Sequence, residues 1–401
     1  MKNIVIIGAG PCGLMAAEIL AEAGHKVTVY DSMASPARKL LIAGRGGLNL
    51  THNEPLEKFI TRYGEASDWL APHIRSFPPQ TLRSWCEGLG QETFIGSSGR
   101  VFPRNMKAIL LLRAWLQRLD KLGVLYMARH YWQGWDGENL LFTNVAQQKI
   151  LVKADATLLA LGGASWPRLG SDGSWVKILS EYGVEIAPLR PANCGFIVPW
   201  SEHFSTRFAG EPLKSITLTY NGILQQGEAM ITAQGIEGGA VYALSASLRD
   251  AIEKHGKAIL QIDLRPSMTH EALTQKLQAP RGSKSLSSYL RNAGFSPLAI
   301  SLLREVTSNE ELAQATPEFL ANRLKILPIT LTATAGIIRA ISTTGGIKSN
   351  AVNDNFMLIA KPSVFAAGEM LDWEAPTGGY LLQACFSTAF AASQGILRFL
   401  A

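Results

Sequence analysis

The sequence predicts an α/β protein in which a parallel sheet built from both ends of the chain is interrupted by a β-rich insertion and a small helical lobe. Three observations predict it. An apolar strand opens the chain and runs into a glycine turn and a helix, and further apolar strands end in Gly162-Gly163 and in Gly368-Glu369. Between these last two, a stretch of short β segments gives way to helical periodicity.

The first element is the most specific. Asn3–Ile7 is a β-branched apolar run suited to a strand buried on both faces. Gly8-Ala9-Gly10-Pro11-Cys12-Gly13 follows, a G-x-G-x-x-G turn, and Leu14–Ala23 reads as a helix with the small residues Ala16 and Ala17 turned to the sheet. Lys26–Tyr30 is a second strand ending on Asp31, 18 residues beyond Gly13. In such a βαβ unit the glycines allow a tight turn and a close approach of backbone to a pyrophosphate. The helix N-terminus offers unpaired N–H groups to the phosphates, and the acid at the end of the second strand accepts from ribose hydroxyls. Asp31 disfavours a 2′-phosphate on that ribose, because two negative charges would meet there.

Three further segments turn the expectation from a dinucleotide in general to FAD. In Arg38–His52, Gly44, Gly46 and Gly47 expose backbone N–H groups while Lys39 and Arg45 add positive charge, which suits a diphosphate or a flavin edge. The strand Ala156–Leu161 enters Gly162-Gly163, where backbone can pass close to a planar ligand. Near the end of the chain, Ser363–Met370 is another apolar strand ending in Gly368-Glu369, and Gly378-Gly379-Tyr380 opens a long helix. The Glu369 carboxylate can hold ribityl or ribose hydroxyls, and that helix N-terminus can stabilise negative charge on a flavin or a phosphate. FAD is long and extended, and a domain assembled from both chain ends suits it.

Composition excludes several classes. Hydrophobic residues are 47% and charged residues 17% of 401, enough for a large buried core in more than one lobe. No apolar run reaches the ~18 residues of a membrane span, and no secretory cleavage pattern follows Lys2, so a cytoplasmic protein is expected. The four cysteines, Cys12, Cys86, Cys194 and Cys385, form no C-x-x-C pair, against zinc and against a flavin disulfide reductase. The formal net charge of +6 is a mild excess whose basic residues are dispersed in the chain, and no aromatic–arginine run suggests base stacking. Nucleic acid is therefore not expected as a partner.

Taken together, these segments resemble the BaiN/RdsA-type (YhiN-like) bacterial flavoproteins, described as NAD(P)/FAD-dependent oxidoreductases or aminoacetone-oxidase-like enzymes. The resemblance spans nearly the whole chain. It rests on GAGPCG, the loop ending in Asn49-Leu50-Thr51, LLALGGASWP, GEAMITAQGIEGGAVYALS, and AGEMLD…TGGY…Q at Ala367–Gln383. Where many members carry Cys-Asn in the glycine loop this chain has Leu48-Asn49, so no role for that cysteine carries over. The resemblance implies a Rossmann-like FAD-binding domain with an inserted β-barrel-like domain and a small helical lobe. The expected boundaries are 1–190 with 336–401 for the FAD domain, 191–267 for the β-rich insertion, with Asn221-Gly222 as a type I′ hairpin turn, and 268–335 for the helical lobe. It also implies that backbone near Trp132 lies against adenine.

The residues expected to hold the cofactor are therefore Gly8, Gly10, Pro11, Cys12, Gly13, Asp31, Lys39, Arg45, Gly46, Gly47, Asn49, Trp132, Gly162, Gly163, Gly368, Glu369, Gly378, Gly379 and Tyr380. The flavin would carry the redox chemistry, and no serine–histidine–acid triad or metal-ligand cluster is evident. His52 at the end of the glycine loop and Tyr380 beside the glycine pair are the candidates for proton transfer. The expected activity moves a hydride or electrons between a small-molecule substrate and NAD(P)H or O2. With a single dinucleotide fingerprint, NAD(P)H would bind transiently. RNA modification and a non-enzymatic flavin sensor are the alternatives.

Overall fold

The protein is described by a computed structural model that covers residues 1–44 and 46–401. Its contacts divide it into two compact units, Met1–Pro191 with Ile341–Ala401, and Ala192–Ala340. Each unit has its own apolar core.

The first unit is organised by a five-stranded parallel sheet. Its strands are β1 (Asn3–Ile7), β2 (Lys26–Asp31), β3 (Leu125–Ala128), β4 (Ala156–Leu159) and β5 (Val364–Ala366), in the order β5-β4-β1-β2-β3. β1 is central because Ile4–Ile7 are apolar on both faces and fully buried. β3 pairs in parallel with β2, Thr28 opposite Leu125, and as an edge strand it keeps Leu125, Tyr126 and Met127 exposed. Helix α1 (Pro11–Glu22) follows β1 directly, with Ala16 and Ala17 completely buried, and α2 (Arg38–Ala43) follows β2. The chain returns to this unit with β5, which pairs with β4 in register Leu158–Phe365.

The second unit is a seven-stranded antiparallel sheet with helices. Pro212–Tyr220 and Ile223–Thr232 form a hairpin through Asn221 (φ 46°) and Gly222 (φ 77°), both left-handed as a type I′ turn requires. Residues 327–334, expected in the helical lobe, form the strands Leu327–Leu331 and Ala333–Thr334, which stand at opposite ends of the strand order. Only Thr332 separates them, and its N–H donates to the Ile197 carbonyl at 3.1 Å. The two edges therefore lie side by side and the sheet curls toward closure. Apolar alternation over five residues was too short to separate this strand from the helices before it. Helices α3 (Glu202–Phe208), α4 (Leu286–Asn292) and α5 (Pro297–Glu305) share the second core with the sheet. Helix α6 (Tyr380–Leu400), back in the first unit, packs along α1. Among the described residues no helix is long and apolar enough to cross a membrane.

Candidate functional site

A cleft of about 670 Å3 opens at the carboxyl ends of the parallel strands, where ligands bind in sheets of this topology. Its floor is the β1–α1 turn. Gly8 sits at φ 107° and a Cβ there would lie 2.3 Å from the Ala160 carbonyl oxygen, while one on Gly13 would lie 1.9 Å from the Gly8 oxygen. These two glycines let β1, β4 and α1 approach. Gly10 differs. It has ordinary extended backbone as the N-cap of α1, and a Cβ on it would meet nothing within 4 Å. Its surroundings within the fold do not call for glycine; a diphosphate laid on the helix N-terminus would.

Asp31 closes one side. Its Oδ2 accepts from the Ala9 N–H at 2.6 Å and its Oδ1 from the Met33 N–H at 2.7 Å, so it braces the turn while each oxygen keeps a second lone pair for a hydroxyl. Burial pushes the carboxyl above the usual aspartate range, against the pull of these two bonds and of Arg38. Trp132, on the strand Tyr131–Asp136, lines the same cleft, and its buried indole N–H has no hydrogen-bond partner among the described residues. An unpaired buried donor costs ~1–3 kcal/mol, and a cofactor edge would satisfy it. On the helix Trp175–Glu181, Lys177, Ile178 and Glu181 face the cleft together with the preceding Ser174. This helical i, i+3, i+4, i+7 spacing could have been read from the sequence but was missed.

Lys39 and Glu369, expected to touch phosphate and ribityl groups separately, pair with each other at 2.8 Å across the whole length of the chain. Lys39 also donates to Ser165 Oγ at 3.0 Å, and Glu369 Oε1 accepts from the Thr343 N–H at 3.1 Å. Thr343 Oγ1 in turn accepts from the backbone of Ala164 and Ser165, and a Cβ on Gly163 would fall 2.3 Å from that oxygen. Gly163 is thus needed for packing on Thr343, whereas Gly162 (φ 70°) lines the cleft. The ion pair clamps three segments at the cleft rim, and both of its members still line the cleft.

Other expected residues form a second cluster that does not line this cleft. Gly379 (φ 97°) caps α6, and a Cβ there would lie 2.5 Å from Thr51 Cα. Thr51 donates to Gln383 at 2.8 Å, and Gln383 donates to the Phe77 carbonyl. The Tyr380 hydroxyl donates to Glu54 at 2.6 Å, and Arg62 holds the same carboxylate through two hydrogen bonds. Burial pushes Glu54 up, but the bonds from Arg62 and Tyr380 outweigh it and hold the carboxyl below the usual range. His52 stacks on Tyr380 at 5.5 Å with both ring nitrogens occupied: Nδ1 accepts from the Glu54 N–H and Nε2 donates to the Ser98 carbonyl. Gly47 packs against Met106, a Cβ on Gly46 would meet open space, and the buried Asn49 side-chain oxygen has no partner among the described residues. Arg45 lies outside the described residues. Gly378 packs beside the Tyr380 ring, and Gly368 beside Cys12 and Cys385, both of which line the first cleft. Burial raises the Cys12 thiol well above its ordinary value and Cys385 to about 12, so neither is poised as a thiolate. Among the described residues no cluster of His, Cys, Asp and Glu could hold a metal ion.

A βαβ turn with an open glycine at the helix N-terminus, an acid on the second strand and an insertion of antiparallel sheet define a Rossmann-type FAD-binding protein of the flavoprotein oxidoreductase class. The chain belongs to the HI0933-like protein Rossmann domain family, whose model matches residues 2–395. It is 23% identical to the ribosomal RNA dihydrouridine synthase of Escherichia coli (strain K12), over 98% of both chains. It is 24% identical to the 3-dehydro-bile acid delta(4,6)-reductase of Clostridium scindens, again over 98% of both. In fold it is similar to the 3-ketosteroid-delta4-(5alpha)-dehydrogenase of Rhodococcus jostii RHA1, with a TM-score of 0.52, 16% identity, and 98% and 96% of the two chains covered.

Proposed function

We propose that the protein is an FAD-dependent oxidoreductase that moves a hydride or electrons between a small-molecule substrate and NAD(P)H or O2. The observation that carries this reading is the open Gly10 at the α1 N-terminus, between Asp31 and the Lys39–Glu369 pair, in a cleft sized for a cofactor. Bound FAD supplies the hydride or electron transfer. The chain's own residues bind and orient it: the backbone N–H groups of Gly10 and Cys12 face the diphosphate, Asp31 accepts from a ribose hydroxyl, and the Trp132 indole donates to the adenine end. Glu369, fixed by Lys39 and Thr343, presents its carboxylate to the ribityl chain.

Two of the relatives matched over 98% of their own length are named a ribosomal RNA dihydrouridine synthase and a 3-dehydro-bile acid delta(4,6)-reductase. That pairing supports the reductive direction. The likeness to a ribosomal RNA dihydrouridine synthase also favours a second reading, reduction of an RNA base. The test is the visible spectrum of the purified protein followed by anaerobic addition of NADH or NADPH. Flavin bands that bleach on addition are expected; a colourless protein that cannot be loaded with FAD overturns the reading. Bands that persist with both nucleotides point to another donor and leave only the O2-linked version.

A further inference from the structure

The second unit has a cavity of about 190 Å3 where α3, α4 and α5 meet. Arg207, Arg291 and Arg304 line it, each exposed and each in the last turn of a different helix. A cation at a helix C-terminus has an ordinary explanation in the helix dipole, and that accounts for each arginine alone. It does not account for three converging on one pocket, where their mutual repulsion opposes the arrangement.

The pocket does not neutralise them. Among the described residues its one carboxylate is Glu305, which is held by Ser201: Oε1 accepts from Ser201 Oγ at 2.7 Å and Oε2 from the Ser201 N–H at 2.8 Å. Arg304 donates to Ser287 Oγ at 3.1 Å, and the Arg207 guanidinium lies 5.3 Å from the centre of the Phe208 ring. The Arg291 side chain has no hydrogen bond or ion pair among the described residues. Three guanidinium forks against one occupied carboxylate, with His203 and Ser301 completing the wall, make an anion site. Its volume is below the ~300–1,000 Å3 of small-molecule clefts, which suits one anionic group rather than a whole ligand.

We propose that this pocket binds the phosphate of a phosphate ester, carried on an RNA backbone or on a free nucleotide. The basic residues that are dispersed in the sequence are here gathered in space. The proposal does not depend on the flavin, which belongs to the other unit.

The test compares R207Q/R291Q/R304Q with K214Q/K254Q/K257Q, which removes the same charge from exposed positions of the same unit. Both are titrated with fluorescein-labelled oligouridylate and with uridine monophosphate over a range of salt, with flavin content and reducibility measured separately. Oligouridylate binding is expected to weaken about tenfold in the arginine variant alone. Its logarithmic salt slope should flatten by ~0.7 for each phosphate that the variant no longer neutralises. Loss of uridine monophosphate binding with oligouridylate unchanged assigns the same site to a free nucleotide. Equal behaviour of the two variants toward both ligands overturns the proposal. Should the triple variant fail to fold, R291Q, at an exposed side chain with no bond to lose, carries the comparison with a smaller effect.

Discussion

Asp31 does two jobs with one carboxylate, bracing the Ala9 and Met33 backbone and offering its remaining lone pairs to the cleft. Because burial raises its pKa, the folded protein takes up this proton at a pH where a solvated aspartate is still charged. Its contribution to stability is therefore largest below the unfolded value and declines as pH rises through the folded one. Flavin retention should run the other way: protonation removes an acceptor, so retention falls as pH is lowered into that raised range. D31N should hold FAD more weakly and lose this pH dependence in equilibrium dialysis; a wild-type profile in D31N would remove the ribose contact. Tyr380 makes the opposite case. Burial and the bond to Glu54 push its phenol well above the ordinary value, and its hydroxyl is already committed. Y380F should cost roughly 0.5–1.5 kcal/mol in stability and change the rate of flavin reduction by only a few-fold in stopped flow. A loss of about a hundredfold or more, the size of a general-acid effect, would restore Tyr380 as a proton donor.

Among elements, the β1–α1 turn separates glycines that the fold requires from one that it does not. A methyl on Gly13 would collide with the Gly8 carbonyl, so G13A should lower chemical-denaturation stability by several kcal/mol, the scale of an overpacked core. A methyl on Gly10 meets open space at a φ any residue adopts, so apo G10A should unfold at the wild-type midpoint yet bind FAD more weakly. If G10A bound flavin normally, the diphosphate would lie elsewhere. The α6 N-terminus belongs with Gly13: its cap is pressed on Thr51, and Gln383 one turn on is bonded to Thr51 and Phe77. The residues near it, His52 and Tyr380 included, are explained by this docking of α6.

Across the whole molecule, the chain divides into two units, each with its own core. FAD at a hundred times its Kd should stabilise the protein by ~2.7 kcal/mol. In hydrogen exchange the added protection should concentrate at 8–12, 31–39, 160–172 and 367–369. Protection confined to 192–340 would contradict the placement of the cofactor. The βαβ unit was legible in the sequence because strand, turn, helix and acid are neighbours in the chain, and their spacing alone brings them together. The type I′ hairpin at Asn221-Gly222 was legible for the same reason. The Lys39–Glu369 clamp, the seating of Gly163 on Thr343 and the convergence of Arg207, Arg291 and Arg304 were not. Each joins residues far apart in the chain whose local patterns are ordinary, and only the packing of whole elements decides which of them meet. The sequence by itself determined the strand–turn–helix–strand unit that suits a dinucleotide. The tertiary structure decided which charges face the cleft and which spend themselves on one another, because burial and ion pairing depend on distances that no linear spacing specifies.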